Sequence, residues 1–408
     1  MQYLSRALEQ KFLRMANFFK VLLVTGARQV GKTTMLKHLA EGTDRTYVTM
    51  DRQDLRALAQ RDPDLFFQAY KPPILIDEIQ KAPELLEAIK LRADASESLG
   101  MFWLTGSQQF SMMQRVQETL AGRVGILHLY PLSEQEKVGQ IDLSTPDFSF
   151  VAAKKNAEQR KVLRAPEAFK NIWRGGMPSV QDMDDEIREE YFSSYTETYL
   201  LRDAMEAGGI KDTEKFLRFL RACAAVAGSQ VNYATLAEAA DISQPTAKTW
   251  MHVLSGMGII YLLPPFANNE LKRLSKTPKL YFCDTGLCAY LSYWLTPETL
   301  MAGAASGRYY ENYVIMELVK RYASSKGRAN FCYYRDRRKQ EIDLIIESNG
   351  QLHPLEIKKS ASPDIKEAKK FDLMKSETLQ RGTGGIVCLA EEPIPISATD
   401  SILPHWAL

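Results

Sequence analysis

Gly26-Ala27-Arg28-Gln29-Val30-Gly31-Lys32-Thr33 constrains this chain more than any other stretch. Its spacing is GxxxxGK[ST]. The apolar run Val21-Leu22-Leu23-Val24 precedes it and reads as a buried strand; Thr34-Met35-Leu36-Lys37-His38-Leu39 follows and reads as a helix. In that setting the backbone N–H groups of the loop line a cradle for phosphates, and the helix N-terminus adds positive dipole. ATP binding is therefore expected. Lys32 would reach the β and γ phosphates and Thr33 would hold Mg²⁺, with Gly26, Gln29, Gly31 and Thr34 completing the cradle.

A chain of 408 residues is too long for one ordinary core, so two to four domains are expected. The composition, 45% apolar and 25% charged, is that of a soluble globular protein. A net charge of +2 excludes a globally basic nucleic-acid binder, so any such surface must be local. The five cysteines are scattered, and Cys283 and Cys288 lack a second close pair to complete a zinc site. No stretch has the form of a signal peptide, and none approaches the ~20 apolar residues of a membrane span. A cytoplasmic protein with no membrane partner is expected.

Four further apolar runs follow the loop, at Tyr47–Met50, Ile74–Ile76, Met101–Leu104 and Gly125–Leu129, several separated by helical patterns. Alternation of this kind predicts a parallel sheet with helices on both faces. The strand Ile74-Leu75-Ile76 ends in Asp77 and Glu78. Asp77 is placed to bind Mg²⁺ through water, and Glu78 to polarise the attacking water. The next strand ends Thr105-Gly106-Ser107-Gln108. Ser107, with Gln108 as the alternative, would lie between the two nucleotide motifs and sense the γ phosphate. Arg123 closes a helix, where it suits the dipole or reaches a neighbouring subunit's nucleotide as a finger.

From about 165 to 227 the period is helical, broken at Gly175-Gly176-Met177-Pro178. Arg202 is read either as a second sensor for ATP or as a partner of a neighbouring acid on its helix. Between 232 and 266 the pattern is that of a winged helix. Asn232 caps a first helix, and Ser243 caps a second one that runs to Met257. If it meets DNA, Gln244, Thr246, Lys248 and His252 face the major groove. Lys272, Arg273, Lys276 and Lys279 form a basic stretch suited either to phosphate contacts or to a solvated face. In the last third, Glu341-Ile342-Asp343-Leu344 enters an apolar strand, Asn349-Gly350 signals a hairpin, and Leu355-Glu356-Ile357-Lys358 lies on the return. Period two puts Glu356 and Lys358 on one face, where Asp343 can meet them.

Over nearly its whole length the chain resembles the bacterial and archaeal AAA+-type ATPases that carry a C-terminal DUF4143 region. The resemblance rests on Leu23–Thr34, Ile76-Asp77-Glu78-Ile79-Gln80, Leu104–Gln109, Leu120–Arg123, Gly175–Pro178, Tyr199–Asp203 and Leu280–Leu287. Met177 replaces a usual aromatic and Leu201 a usual charged residue. The resemblance implies an α/β P-loop NTPase of AAA+ (ASCE) type, assembled as a homo-oligomer, most simply a hexameric ring. The C-terminal pattern in turn resembles the PD-(D/E)XK nuclease superfamily, whose fold is α/β and restriction-endonuclease-like. By that resemblance Asp343, Glu356 and the helical Glu311 (Glu317 as second choice) would bind Mg²⁺, and Lys358 would orient or deprotonate water.

These readings combine into an ATPase core over 1–160, a helical lid over 161–228, a winged helix over 229–290 and a nuclease-like domain over 291–408. The expected function is ATP hydrolysis acting on DNA, branched DNA included, in repair, recombination or defence, with the nuclease-like domain binding DNA and a candidate to cleave it. The alternative is a nucleotide-switched regulator that docks partners without cleaving DNA.

Overall fold

The computed structural model describes residues 3–106, 110–266, 277–336, 338–374 and 379–408. Five strands, β1 (Val21–Thr25), β2 (Thr46–Thr49), β3 (Ile74–Asp77), β4 (Phe102–Thr105) and β5 (Val124–His128), form one parallel sheet in the order β2-β3-β4-β1-β5. Helices on both faces make its central strands apolar throughout. The two-residue period then divides the strands between two cores. Leu22, Val24, Leu75, Trp103 and Leu127 enter one core, while Val21, Leu23, Ile74, Ile76, Phe102 and Leu104 enter the other, with Phe66, Leu86 and Ile89. The expected alternation of strands and helices is thus observed. β4 lies between β1 and β3, so its C-terminal end sits between the phosphate-loop strand and the acidic strand.

The first of those cores continues without a break into the rest of the chain. Helices Ala165–Arg174, Asp185–Ser194, Leu201–Gly208 and Thr213–Ala225 form the middle, and Tyr195–Leu200 joins the second to the third in π-helical turns. Helices Tyr233–Ala239 and Gln244–Gly256 follow. Asn232 Oδ1 accepts the Ala234 and Thr235 N–H groups, and Ser243 Oγ accepts that of Thr246. Both expected caps therefore satisfy helix-end donors. Strands β6 (Ile260–Leu263) and β7 (Lys279–Phe282) then pair antiparallel.

The last third is a second sheet, with the helix Ser306–Ser324 packed on it. Its strands are β8 (Asn330–Arg335), β9 (Glu341–Ser348), β10 (Gln351–Lys358), β11 (Gln380–Arg381), β12 (Gly384–Cys388), β13 (Ile394–Pro395) and β14 (Asp400–Pro404). The order is β13-β14-β12-β10-β9-β8, with β11 beside β10. Asn349 and Gly350 turn the β9–β10 hairpin with φ of 50° and 74°, the left-handed pair that a two-residue hairpin loop needs. β14 lies parallel to β12.

Candidate functional site

The phosphate loop leaves β1 at Thr25 and enters the helix Lys32–Ala40. Gly26 has φ 143°, and a Cβ there would come within 2.2 Å of the Leu129 carbonyl oxygen, so only glycine fits. Gly31 begins the helix with φ 95°. Lys32 is buried. Its Nζ donates to the carbonyls of Gly26 (3.0 Å) and Ala27 (2.7 Å), and burial pushes its pKa down to about 8. Neutral carbonyls are weaker acceptors than a phosphate oxygen, so this ammonium is suited to exchange them for one.

The Thr33 hydroxyl donates to Asp77 Oδ1 at 2.6 Å. One hydroxyl and one carboxylate, both hard oxygen donors, fit Mg²⁺ held with substrate phosphates and water. Thr105, at the end of β4, donates to the same Asp77 oxygen, and its Oγ1 accepts the Glu78 N–H at 3.1 Å. Tyr47 adds a hydrogen bond to Asp77 Oδ2 at 3.3 Å. Glu78 itself has φ 59°, a conformation costing about 1–3 kcal/mol for a residue with a side chain, and Gln80 holds its carboxylate. Ser107 and Gln108 lie outside the described residues. Among the described residues, Thr105 links the acidic strand to the strand beside it; a hydroxyl closing β4 was the available signal.

Other side chains reach the loop from far along the chain. Buried Arg6 donates from Nη1 to the Val30 carbonyl and from Nη2 to that of Tyr130, each at 2.7 Å, and pairs with Glu136 at 3.2 Å. Arg28 pairs with Asp203, and the Tyr191 hydroxyl donates to Gln29 Oε1 at 2.5 Å. Asp203, next to the Arg202 considered as a sensor, is thus a residue of that helix that meets the loop. The motifs Gly175–Pro178 and Leu280–Leu287 also meet, because Asp284 Oδ2 accepts the Gly176 N–H at 2.7 Å. Arg123 forms a two-point pair with Asp94, at 2.5 and 2.9 Å. Its carbonyl accepts the Val21 N–H, which places it at the opposite end of β1 from the loop.

The acidic residues of the last third lie against lysine ammonium groups. Lys279 belongs to no exposed basic surface; it is 3% exposed. Its ammonium lies 2.5 Å from Glu341, 2.9 Å from Glu311 and 3.9 Å from Asp343. Burial alone would lower its pKa, but those three carboxylates hold it above the usual lysine value. Glu311 is pushed up to about 7 by burial and by Asp343. Asp343 Oδ2 accepts the Ile357 N–H at 2.8 Å. Glu356 faces Lys358 at 2.5 Å and Lys370 at 2.7 Å, and burial and Asp343 push it to about 7. Among the described residues, no group of three or more Asp, Glu, His or Cys side chains is arranged to hold a metal ion. Lys279 lies against Glu311 and Asp343, and Lys358 and Lys370 lie against Glu356, while Asp343 is near enough to Glu311 and Glu356 to push both carboxyls up. Glu317 belongs elsewhere: it accepts the Glu134 N–H at 2.9 Å and pairs with Lys320 at 2.8 Å.

On the second helix of the winged-helix pattern, Gln244, Lys248 and His252 are exposed at four-residue spacing, and Thr246 is half-buried beside its Ser243 cap. Lys272, Arg273 and Lys276 lie outside the described residues.

Residues 18–138 match a family model described as an AAA domain, residues 166–298 a domain of unknown function (DUF8612), and residues 306–408 a domain of unknown function (DUF4143). An uncharacterised protein of Mycobacterium tuberculosis is 27% identical over 387 residues, covering 94% of this chain and 80% of its own length. One of Haemophilus influenzae is 23% identical over 313 residues, covering 74% and 69%. Among solved structures, a Walker-type ATPase of Pyrococcus abyssi aligns with a TM-score of 0.41 at 15% identity, over 71% of this chain and 96% of that one. The RuvB Holliday junction branch migration motor of Thermotoga maritima aligns with a TM-score of 0.28 at 17% identity, over 63% and 86%. The AAA domain match coincides with the five-stranded sheet and its loop. The DUF4143 match in turn coincides with the second sheet and the helix packed on it.

Proposed function

We propose that this protein is an ATP-hydrolysing switch that engages DNA without cutting it. One observation carries the reading: two successive loop residues, Arg28 and Gln29, are held by Asp203 and Tyr191 of the helical middle. A change in phosphate content beside Arg28 would therefore be felt by the helix that leads toward the helix–turn–helix pair. In hydrolysis Lys32 binds the terminal phosphates. Mg²⁺, held by Thr33 and Asp77, would neutralise charge developing on the phosphate oxygens. Glu78 orients the attacking water and draws its proton, and Thr105 keeps Asp77 and the Glu78 backbone in register. Arg123, at the far end of β1 from its own loop, would serve a nucleotide on a neighbouring subunit of a ring, releasing Asp94 to do so.

DNA is the proposed ligand because Gln244, Lys248 and His252 offer an exposed polar face at helical spacing. Binding without cleavage is proposed because Lys279 lies against Glu311 and Asp343, and Lys358 and Lys370 against Glu356, where a metal would have to compete with them. A protein-docking regulator is the second reading, favoured by the near-neutral net charge of +2.

The test is ATP turnover with and without duplex, single-stranded and junction DNA, in wild type and Asp203→Asn. DNA should change the wild-type rate, while Asp203→Asn should hydrolyse ATP and no longer respond. A wild-type rate indifferent to every DNA, with no salt-sensitive binding, would leave the regulator. Labelled DNA with Mg²⁺ or Mn²⁺ should remain uncut by wild type and Asp343→Ala alike; cutting by wild type alone would restore a nuclease.

A further inference from the structure

A cavity of about 470 Å³ opens between the end of β5, the N-terminal segment around Arg6, the helix Ser306–Ser324 and the C-terminal residues His405–Leu408. That volume is typical of small-molecule sites, which are commonly about 300–1,000 Å³. Its walls are largely apolar, with Leu129, Leu163, Leu318 and Trp406 among them. Two of its polar lining groups are unusual. Arg321, whose side chain is 9% exposed, pairs through Nη2 with Asp142 at 2.5 Å, yet among the described residues its buried Nε has no partner. His405 Nδ1 lies 3.3 Å from the Cys388 carbonyl, and its buried Nε2 likewise has no partner among the described residues. Burial pushes this imidazole down to about 4, so it is neutral at pH 7. The proton belongs on Nδ1, facing the carbonyl, and Nε2 is left as an acceptor. The walls thus carry one buried donor and one buried acceptor, each unfavourable while unsatisfied.

A ligand matched to these walls has an apolar body, an anionic or carbonyl oxygen for Arg321, and one N–H or O–H for His405. The cavity also touches the nucleotide site. Arg6 lines it while holding the loop carbonyl of Val30. His128 lines it as well, 3.4 Å from the Thr25 hydroxyl at the end of β1. We propose that this cavity is a binding site for a small amphipathic anion bearing one hydrogen-bond donor, and that its occupant acts on the phosphate loop through Arg6. The second clause rests on the ATP-hydrolysing reading; the first does not.

Anilinonaphthalene sulfonate, which has an aromatic body, one N–H and one sulfonate, is the probe. Fluorescence titration of the full chain without ATP should show one saturable site. Val162→Trp, at the half-exposed rim, should weaken binding at least about tenfold, or about 1.4 kcal/mol. His405→Phe keeps the ring contact with Tyr310 (5.5 Å between centroids) and should weaken binding by about threefold to tenfold through loss of the acceptor. Non-saturating uptake, or wild-type affinity in both variants, would overturn the site. At saturating probe, ATP turnover should change by about twofold or more, a difference of about 0.4 kcal/mol in barrier. Saturable binding with unchanged turnover would overturn the link through Arg6 and leave the site standing.

Discussion

Two buried lysines show how differently the two α/β regions use charge. Lys32 and Lys279 are both nearly inaccessible, at 6% and 3% exposure. Lys32 donates to two backbone carbonyls of its own loop, and burial lowers its pKa to about 8. Lys279 has three carboxylates within 4 Å, and its pKa is raised. A charge held by neutral dipoles favours binding a polyanion; a charge already paired in a low-dielectric pocket favours cohesion and resists exchange. The first region is built to take phosphate. The second joins β7 to β9 and the helix Ser306–Ser324 by ion pairing.

The comparison is broken most easily at Lys32. Lys32→Ala should weaken ATP binding by at least about 100-fold, about 2.7 kcal/mol, in a titration with a fluorescent analogue. Affinity within a few-fold of wild type would mean that phosphates do not use this ammonium. Glu78→Gln should retain ATP affinity while turnover falls by about 10²–10⁴-fold, the usual contribution of a positioned acid–base group. Normal hydrolysis by that variant would remove its role with water.

At the other lysine the expected effect is on stability. Lys279→Met removes the ammonium from Glu311 and Asp343, Glu341 keeping Arg335 at 3.5 Å, and should cost about 3–5 kcal/mol in urea unfolding, with little change in ATP affinity. A neutral outcome would mean that the cluster is solvated. The smallest effect is the pH dependence. Burial and the neighbouring Asp343 raise Glu311 and Glu356 in the folded state to about 7, above the ordinary glutamate value of 4.5. Their protonated forms favour the native state, so this contribution is complete below about 4.5 and fades as pH rises through about 7. Unfolding midpoints should therefore fall between pH 5 and pH 8, and Glu356→Gln should flatten the slope. A midpoint that rises over that range in wild type and variant alike would contradict the assigned shifts.

Legibility in the sequence followed the range of the interaction. The loop, its flanking strand and helix, the β9–β10 hairpin turn at Asn349-Gly350 and the caps at Asn232 and Ser243 all depend on neighbours within a few residues. Each was readable as written. Lys279 was misread because its partners are distant: Glu311 lies 32 residues away, beyond any local pattern. Arg6 and Glu136, 130 residues apart, and Arg28 and Asp203, 175 apart, were invisible for the same reason. The choice of Glu317 as an alternative to Glu311 failed on rotation around one helix, which carries the two residues to different neighbours.

By itself, the amino-acid order determined where phosphate contact is possible and which segments become parallel strands, since loop conformation and two-residue alternation are written in adjacent positions. Only the folded chain decided whether each acid and base meets an opposite charge, a carbonyl or solvent. Those outcomes depend on through-space separations of a few ångströms between residues that the chain places tens to hundreds of positions apart.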